Sequence, residues 1–181
     1  MLDNTNCITI NGWGIRCLGL ATLYLRVALG AGFLSAVADR FGLWGAFGTP
    51  SVAWGNFHNF LAYTAKLNPW FPASWIPTVG WTATLCEICF GAALIIGYRT
   101  RMAAVLSGLL TLAFAIGMVF GVGIHAPLNY SVFAVSASAF LLAAAETTPW
   151  AVDGWLHKPR SSAPGLADQE RDLTARSKRF R

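Results

Sequence analysis

The sequence predicts an all-α, polytopic membrane protein: a four-transmembrane-helix bundle with an aromatic interfacial helix between helices 1 and 2. Three observations carry this. Of the 181 residues 55% are apolar and only 12% charged, with a mean hydropathy of +0.52, whereas a soluble domain carries about a quarter charged residues. Four apolar runs are each near the roughly 20 residues that cross a hydrocarbon core. Between the first two runs lies a connector dense in aromatic residues and cut by prolines.

In chain order, residues 1–17 form a polar N-terminal segment with Asp3 and Arg16. The first span is 18–38, LGLATLYLRVALGAGFLSAVA. Its end, Ala36-Val37-Ala38, has the form of a signal-peptidase site. Arg26 interrupts the run, and the run is longer than a signal core, so it reads as a retained helix. The connector, 39–77, holds Trp44, Trp54, Phe57, Phe60, Tyr63, Trp70, Phe71 and Trp75, divided by Pro50, Pro69, Pro72 and Pro77. Between Pro50 and Pro69, Val52, Trp54, Phe57, Leu61 and Thr64 recur at nearly helical spacing. That pattern with few charges predicts a helix lying in the membrane interface, where amphipathic rings prefer the headgroup level; an irregular aromatic loop is the alternative.

The second span is 78–98. Arg99-Thr100-Arg101 leaves room only for a tight turn, so the third span, 102–124, returns antiparallel. Gly117 and Gly121 in it make a G-x-x-x-G, the spacing that lets helix backbones approach in membranes. After His125-Ala126-Pro127 the fourth span, 128–146, carries Ser131, Ala134 and Ser138 on one face. The transmembrane domain is thus 18–149. Residues 150–181 read as an interfacial anchor (Trp150, Trp155) followed by a polar basic tail expected to be disordered. The tail's last residues, Arg176 to Arg181, either touch anionic lipid or are simply solvated.

Charge sets the orientation. Four spans place both termini and the Arg99–Arg101 turn on one side, which then collects Arg16, Arg99, Arg101 and seven Lys/Arg of the tail, against Arg40 and Lys66 on the other. Positive residues stay cytoplasmic. Both termini are therefore expected in the cytoplasm, and the aromatic connector outside. The formal charge of +5 is spread over membrane boundaries and the tail, which excludes a nucleic-acid face.

Polar residues inside the spans are the functional candidates. Arg26 and Glu87 fall near mid-membrane, where a charge is costly and needs a partner or a task. With the two span centres aligned, about 4.5 Å separates their depths at 1.5 Å per residue, so they are expected to pair or to share a polar core. A pair that only fixes helix register is the plainer reading; binding of a small anion or a quinone head, or proton relay, is the functional one. Cys86 and Cys89 form a Cys-x-x-Cys astride Glu87. Reactive thiol pairs sit at helix N-termini with access for a partner, and here the depth argues for ordinary packing over redox chemistry. Four cysteines in all are too few for a secreted disulfide scaffold. Asp39, Arg40, Trp44, Asn56, His58, His125, Asn129 and Tyr130 border a common outer mouth, but no short His/Cys spacing points to a metal. Phosphate-cradling glycine loops and nucleophile elbows are absent.

Residues 25–38 (LRVALGAGFLSAVA), ADRFGLWG after them, Glu87-x-x-x-Gly91 followed by GYRTRMAA, and HAPLNYSVFA together resemble the DoxX/DoxD family of small four-helix bacterial membrane proteins. The resemblance covers residues 18–146. It implies a multi-pass protein of the bacterial inner membrane, working with partner subunits in quinone-linked sulfur redox, since the family takes its name from a thiosulfate:quinone oxidoreductase subunit. Where many members carry a Lys near the end of helix one, this chain has Asp39-Arg40.

Two functions follow as expectations. One is a non-autonomous subunit of a membrane complex, linked to quinone and sulfur redox through an Arg26–Glu87 core, with a quinone as its cofactor. The other is a structural or assembly subunit without catalysis. In either case the partners are the lipid bilayer and other membrane subunits or a second copy. A transporter would want discontinuous helices, and the spans read as unbroken.

Overall fold

The computed structural model describes residues 12–145, with side chains described from Cys17 onward. The expectations for residues 1–11, for Glu146 and for the tail with Trp150 and Trp155 lie outside the described residues. Six α-helices are described: α1 (Gly12–Arg40), α2 (Phe57–Leu67), α3 (Ile76–Ile96, entered through a 3-10 turn at Ala73–Trp75), α4 (Thr100–Val122), α5 (His125–Asn129) and α6 (Val132–Ala144). No strand occurs among the described residues. Three helical stretches are long and apolar enough to cross a membrane: Cys17–Arg40, Ala73–Ile96 and Thr100–Val122.

The local sequence explains the boundaries. Pro77 sits in the first turn of α3, where its missing N–H costs nothing. Gly97 ends that helix in the left-handed region, φ 78°. Its N–H and that of Tyr98 both donate to the Ala93 carbonyl, at 2.8 and 3.0 Å, which satisfies an end group of the helix. Arg99 follows, also left-handed (φ 44°), and α4 begins at Thr100. The tight turn is therefore real, and α3 and α4 form a helical hairpin.

The fourth apolar run is not the unbroken span 128–146 that its composition predicts. α5 stops at Asn129, Ser131 adopts a left-handed backbone (φ 55°), and α6 then runs for 13 residues. At 1.5 Å per residue that is about 20 Å, against about 30 Å of hydrocarbon. The physical reason is local: a left-handed residue cannot continue a right-handed helix. The small face of α6 also differs from the expected one. Ser136, Ala139, Leu142 and Ala143 are buried, whereas Ser131 and Ala134 are exposed.

α1 packs most extensively on α3, and α4 on α6. Leu29, Leu94, Ala103, Ala104, Ala139, Leu142 and Ala143 form the core. Small residues make these contacts possible. A methyl placed on Gly30 would stand 2.8 Å from the Gly91 carbonyl oxygen, and one on Gly91 3.1 Å from that of Gly30. The two backbones thus touch, and this crossing fixes the register of α1 on α3. On the other side of the bundle the Ser136 hydroxyl donates to the Gly108 carbonyl at 2.8 Å.

The connector holds a helix, over a shorter range than the aromatic spacing predicts. Val52 and Trp54 stay outside it, because Gly55 is left-handed (φ 65°) and Asn56 extended. The Asn56 side chain caps α2 by accepting from the Asn59 N–H at 2.8 Å. α2 buries Phe60, Thr64 and Leu67 against the first turns of α3 and the last turns of α4. Gly117 and Gly121 receive Leu67 of α2, so the G-x-x-x-G of α4 serves the connector and not another span.

Candidate functional site

α1 ends in two consecutive buried charges. Asp39 is 5% and Arg40 2% exposed. Burying a charge is costly unless it is paired and hydrogen-bonded, and each of the two finds its own partners.

Arg40 reaches α3. Its Nη2 donates to Glu87 Oε1 at 2.8 Å, its Nη1 lies 2.5 Å from Oε2, and Nη1 also donates to Thr84 Oγ1 at 2.9 Å. Thr84 and Glu87 are three residues apart and share a helix face. The Thr84 hydroxyl spends its own proton on the Gly80 carbonyl, at 2.8 Å, which leaves its lone pairs for Arg40. Glu87 is as buried as its partner, at 2%. The guanidinium carbon lies over the Phe60 ring, 3.8 Å from its centroid, and 5.3 Å from that of Trp54, a cation–π arrangement that gains in a water-poor site.

Asp39 turns the other way. Its Oδ2 accepts from the N–H groups of Ala53 and Trp54, each at 3.0 Å. One turn of helix therefore ties three segments together: Arg40 holds α3, Asp39 holds the loop, and the loop delivers Trp54 over Arg40. Around this knot Phe41 stacks on Phe57 (5.8 Å), Phe57 meets Trp81 at a tilt (4.5 Å) and Trp54 meets Phe60 edge to face (5.4 Å).

The guanidinium at Glu87 is thus that of Arg40, where the sequence led us to expect Arg26. Register explains it. The Gly30–Gly91 contact puts Glu87 level with Leu34, so Arg26 lies eight residues, about 12 Å, toward one end and Arg40 six residues, about 9 Å, toward the other. Direction then decides. Side chains lean toward the N-terminus of their own helix, and α1 and α3 are antiparallel, so Arg40 and Glu87 lean toward each other while Arg26 leans away. Arg26 is itself buried, at 3%.

The other expected residues scatter. Trp44 is 60% exposed, and its Nε1 donates to the Ser35 carbonyl at 3.1 Å. Asn56 is spent as a helix cap. His58, His125, Asn129 and Tyr130 are exposed, and no group of three His, Cys, Asp or Glu able to hold a metal exists among the described residues. Tyr130 is close enough to Tyr63 to help raise that phenol above its ordinary value, burial of Tyr63 being the larger cause. Cys86 is half-buried and Cys89 exposed, both free thiols; at 100° per residue Cys89 lies about 160° round the helix from Glu87. Of the proposed mouth, only Asp39 and Arg40 enter the site, as buried groups. Thr84, Phe60 and Trp54 complete it. Thr84 was readable as the polar residue one helical turn before Glu87.

Beside this knot, a half-open depression of about 300 Å³ lies between the flank of α1 and the returning loop, lined by Ser35, Trp44, Pro50, Ser51 and Val52.

Among the described residues, fold and site define an all-helical membrane protein with helices long and apolar enough to cross a bilayer and a sealed guanidinium–carboxylate pair, Arg40–Glu87. In comparisons with known proteins, no family model, no curated protein and no solved structure matches the chain.

Proposed function

We propose that this chain is a non-autonomous subunit of a larger membrane complex, acting as a structural or assembly element. α5 and α6, 5 and 13 residues long on either side of the break at Ser131, would complete a four-helix bundle in a bacterial inner membrane. Both termini then face the cytoplasm and the aromatic connector lies at the outer interface, in keeping with the distribution of Lys and Arg. The observation that carries the reading is how Arg40 is used. Its two terminal nitrogens are committed to Glu87 and Thr84 and its guanidinium carbon sits over the ring of Phe60. Such a pair fixes α1, α3 and the connector in register, the best-attested use of buried ion pairs.

Quinone-linked sulfur redox, which the DoxX/DoxD resemblance implies, is the second reading, favoured by a buried cation beside aromatic rings. Arg40 would have to hold the quinone head. With both Nη atoms engaged and the ring of Phe60 against the guanidinium, these residues do not fit that group, and we derive no step through it.

One paired substitution separates the readings. Arg40→Met with Glu87→Met replaces the pair by apolar side chains. The assembly reading expects this variant to stay in a complex of unchanged stoichiometry when native membranes are solubilised in mild detergent. A folded variant that keeps its complex but loses quinone reduction in those membranes would favour redox. Wild-type chain that isolates as a monomer would refute the subunit idea.

A further inference from the structure

The segment between Arg40 and α2 is unusual for a connector. From Phe41 to Ala65 the chain carries no Asp, Glu, Lys or Arg. Its first part exposes large apolar side chains: Phe41 48%, Leu43 75%, Trp44 60% and Phe47 66%. α2, by contrast, turns Phe60, Thr64 and Leu67 into the bundle. The apolar surface available to an outside partner therefore lies on the loop, not on the helix.

The loop also runs in an informative direction. It leaves α1 at Arg40 and folds back along it. Gly45 has φ 129° and makes one of the reversals, and the Trp44 indole donates to the carbonyl of Ser35. Ser35 lies five residues before the end of the apolar stretch Cys17–Arg40, about 7.5 Å down the helix axis. Trp44 is thus held at a depth that belongs to the membrane-crossing part of α1. Beside it opens the depression walled by the ring of Trp44, Pro50 and Val52 and by Ser35 and Ser51. Neither serine hydroxyl makes a hydrogen bond within the described chain, and Ser51 is held in a left-handed backbone, φ 70°.

We propose that loop 41–52 enters the headgroup–acyl boundary of the bilayer and that the depression seats the glycerol–ester region of one phospholipid. An apolar wall for the first methylenes of a chain, hydroxyls for the ester oxygens and an indole at the boundary match that part of a lipid. Tryptophan prefers this level because its body is apolar and its N–H polar. The proposal rests on the connector lying at a membrane interface, and it assigns the lipid contact to the loop in place of α2.

The test uses the full chain in phosphatidylethanolamine/phosphatidylglycerol vesicles containing a phosphatidylcholine that carries a photoactivatable diazirine next to the ester; a second preparation carries it at the chain end. Adducts are mapped by mass spectrometry. We expect the ester-side probe to label residues 41–52, with Trp44 and Val52 foremost. The chain-end probe should label exposed mid-span residues such as Leu109. Trp44→Ala should at least halve the ester-side yield on the loop and leave Leu109 labelling unchanged. Ester-side adducts on α2 with none on 41–52 overturn the proposal while the connector stays interfacial. Absence of ester-side adducts anywhere between residues 41 and 75, with Leu109 labelled normally, overturns the interfacial reading itself.

Discussion

If Arg40 is the partner of Glu87, the two residues must be energetically coupled and Arg26 must not be. Arg40→Met leaves a carboxylate that is 2% exposed with no cation beside it, and Glu87→Met strands an equally buried guanidinium. Breaking a buried pair from one side costs about 3–5 kcal/mol, while replacing both partners by apolar groups of similar volume is often neutral or better. The double variant should therefore be far more stable than the sum of the singles, with a coupling energy of at least ~2 kcal/mol. Arg26 stands about 12 Å from the level of Glu87 along the axis, so Arg26→Met and Glu87→Met should add to within about 0.5 kcal/mol. Reversible unfolding in mixed detergent micelles, followed by helical circular dichroism, measures both cycles. Stronger coupling of Glu87 to Arg26 than to Arg40 would refute the register argument and with it the description of the site.

Other predictions concern the supports of that site. Asp39→Ala removes two hydrogen bonds to a charged group, each about 1.5–3 kcal/mol. Amide exchange at Ala53 and Trp54 should therefore accelerate about tenfold or more, with α4 and α6 unaffected; unchanged exchange would mean that Asp39 does not hold the loop. Gly121→Ala should cost about 1–3 kcal/mol by overpacking, because its methyl would meet the Leu67 Cα and the Lys66 carbonyl oxygen, each at 2.5 Å. Gly117→Ala, with Leu67 no nearer than 3.8 Å, should be tolerated; equal costs in thermal unfolding would contradict the seating of α2. Tyr63 has its phenol pushed upward by burial and by Tyr130, so the neutral form is the one the fold favours. Its contribution is complete below the ordinary phenol value of about 10 and is lost as pH rises through the higher folded value. A phenolate difference titration of wild type against Tyr63→Phe should place this group later than an ordinary tyrosine.

Much of the architecture was legible because it follows from composition and chain stiffness. The apolar runs of α1, α3 and α4 have the length of a bilayer core, and Gly97 with Arg99 allows only a short reversal. Both signals are local. The fourth run shows where local reading stops: Asn129-Tyr130-Ser131 contains no proline and no glycine, and only the backbone conformation at Ser131 reveals that the helix breaks there. The same holds for α2. Its aromatic spacing announced a helix, but its start was set by Gly55 and Asn56, and its burial on α4 depends on Gly117 and Gly121, fifty and more residues beyond Leu67 in sequence.

The site was legible as a kind and not as a pair. A glutamate in the middle of a span demands a cation, and that inference needed no structure. Choosing between Arg26 and Arg40 required the sliding register of α1 on α3, which hydropathy defines only to within a few residues at each span end. Aligning the span centres misplaces the helices by five residues, because 28 and 88 sum to 116 whereas Gly30 and Gly91 sum to 121. At about 1.5 Å per residue that slip is enough to exchange one arginine for another. A pattern in the sequence did favour the true pair. Arg40 is the last residue of its helix and leans back toward Glu87, which leans toward it, and the aromatic residues that can cover a guanidinium are concentrated at that connector end. For antiparallel membrane helices, then, the lean of each side chain is a better guide to partners than the nominal depth of its Cα.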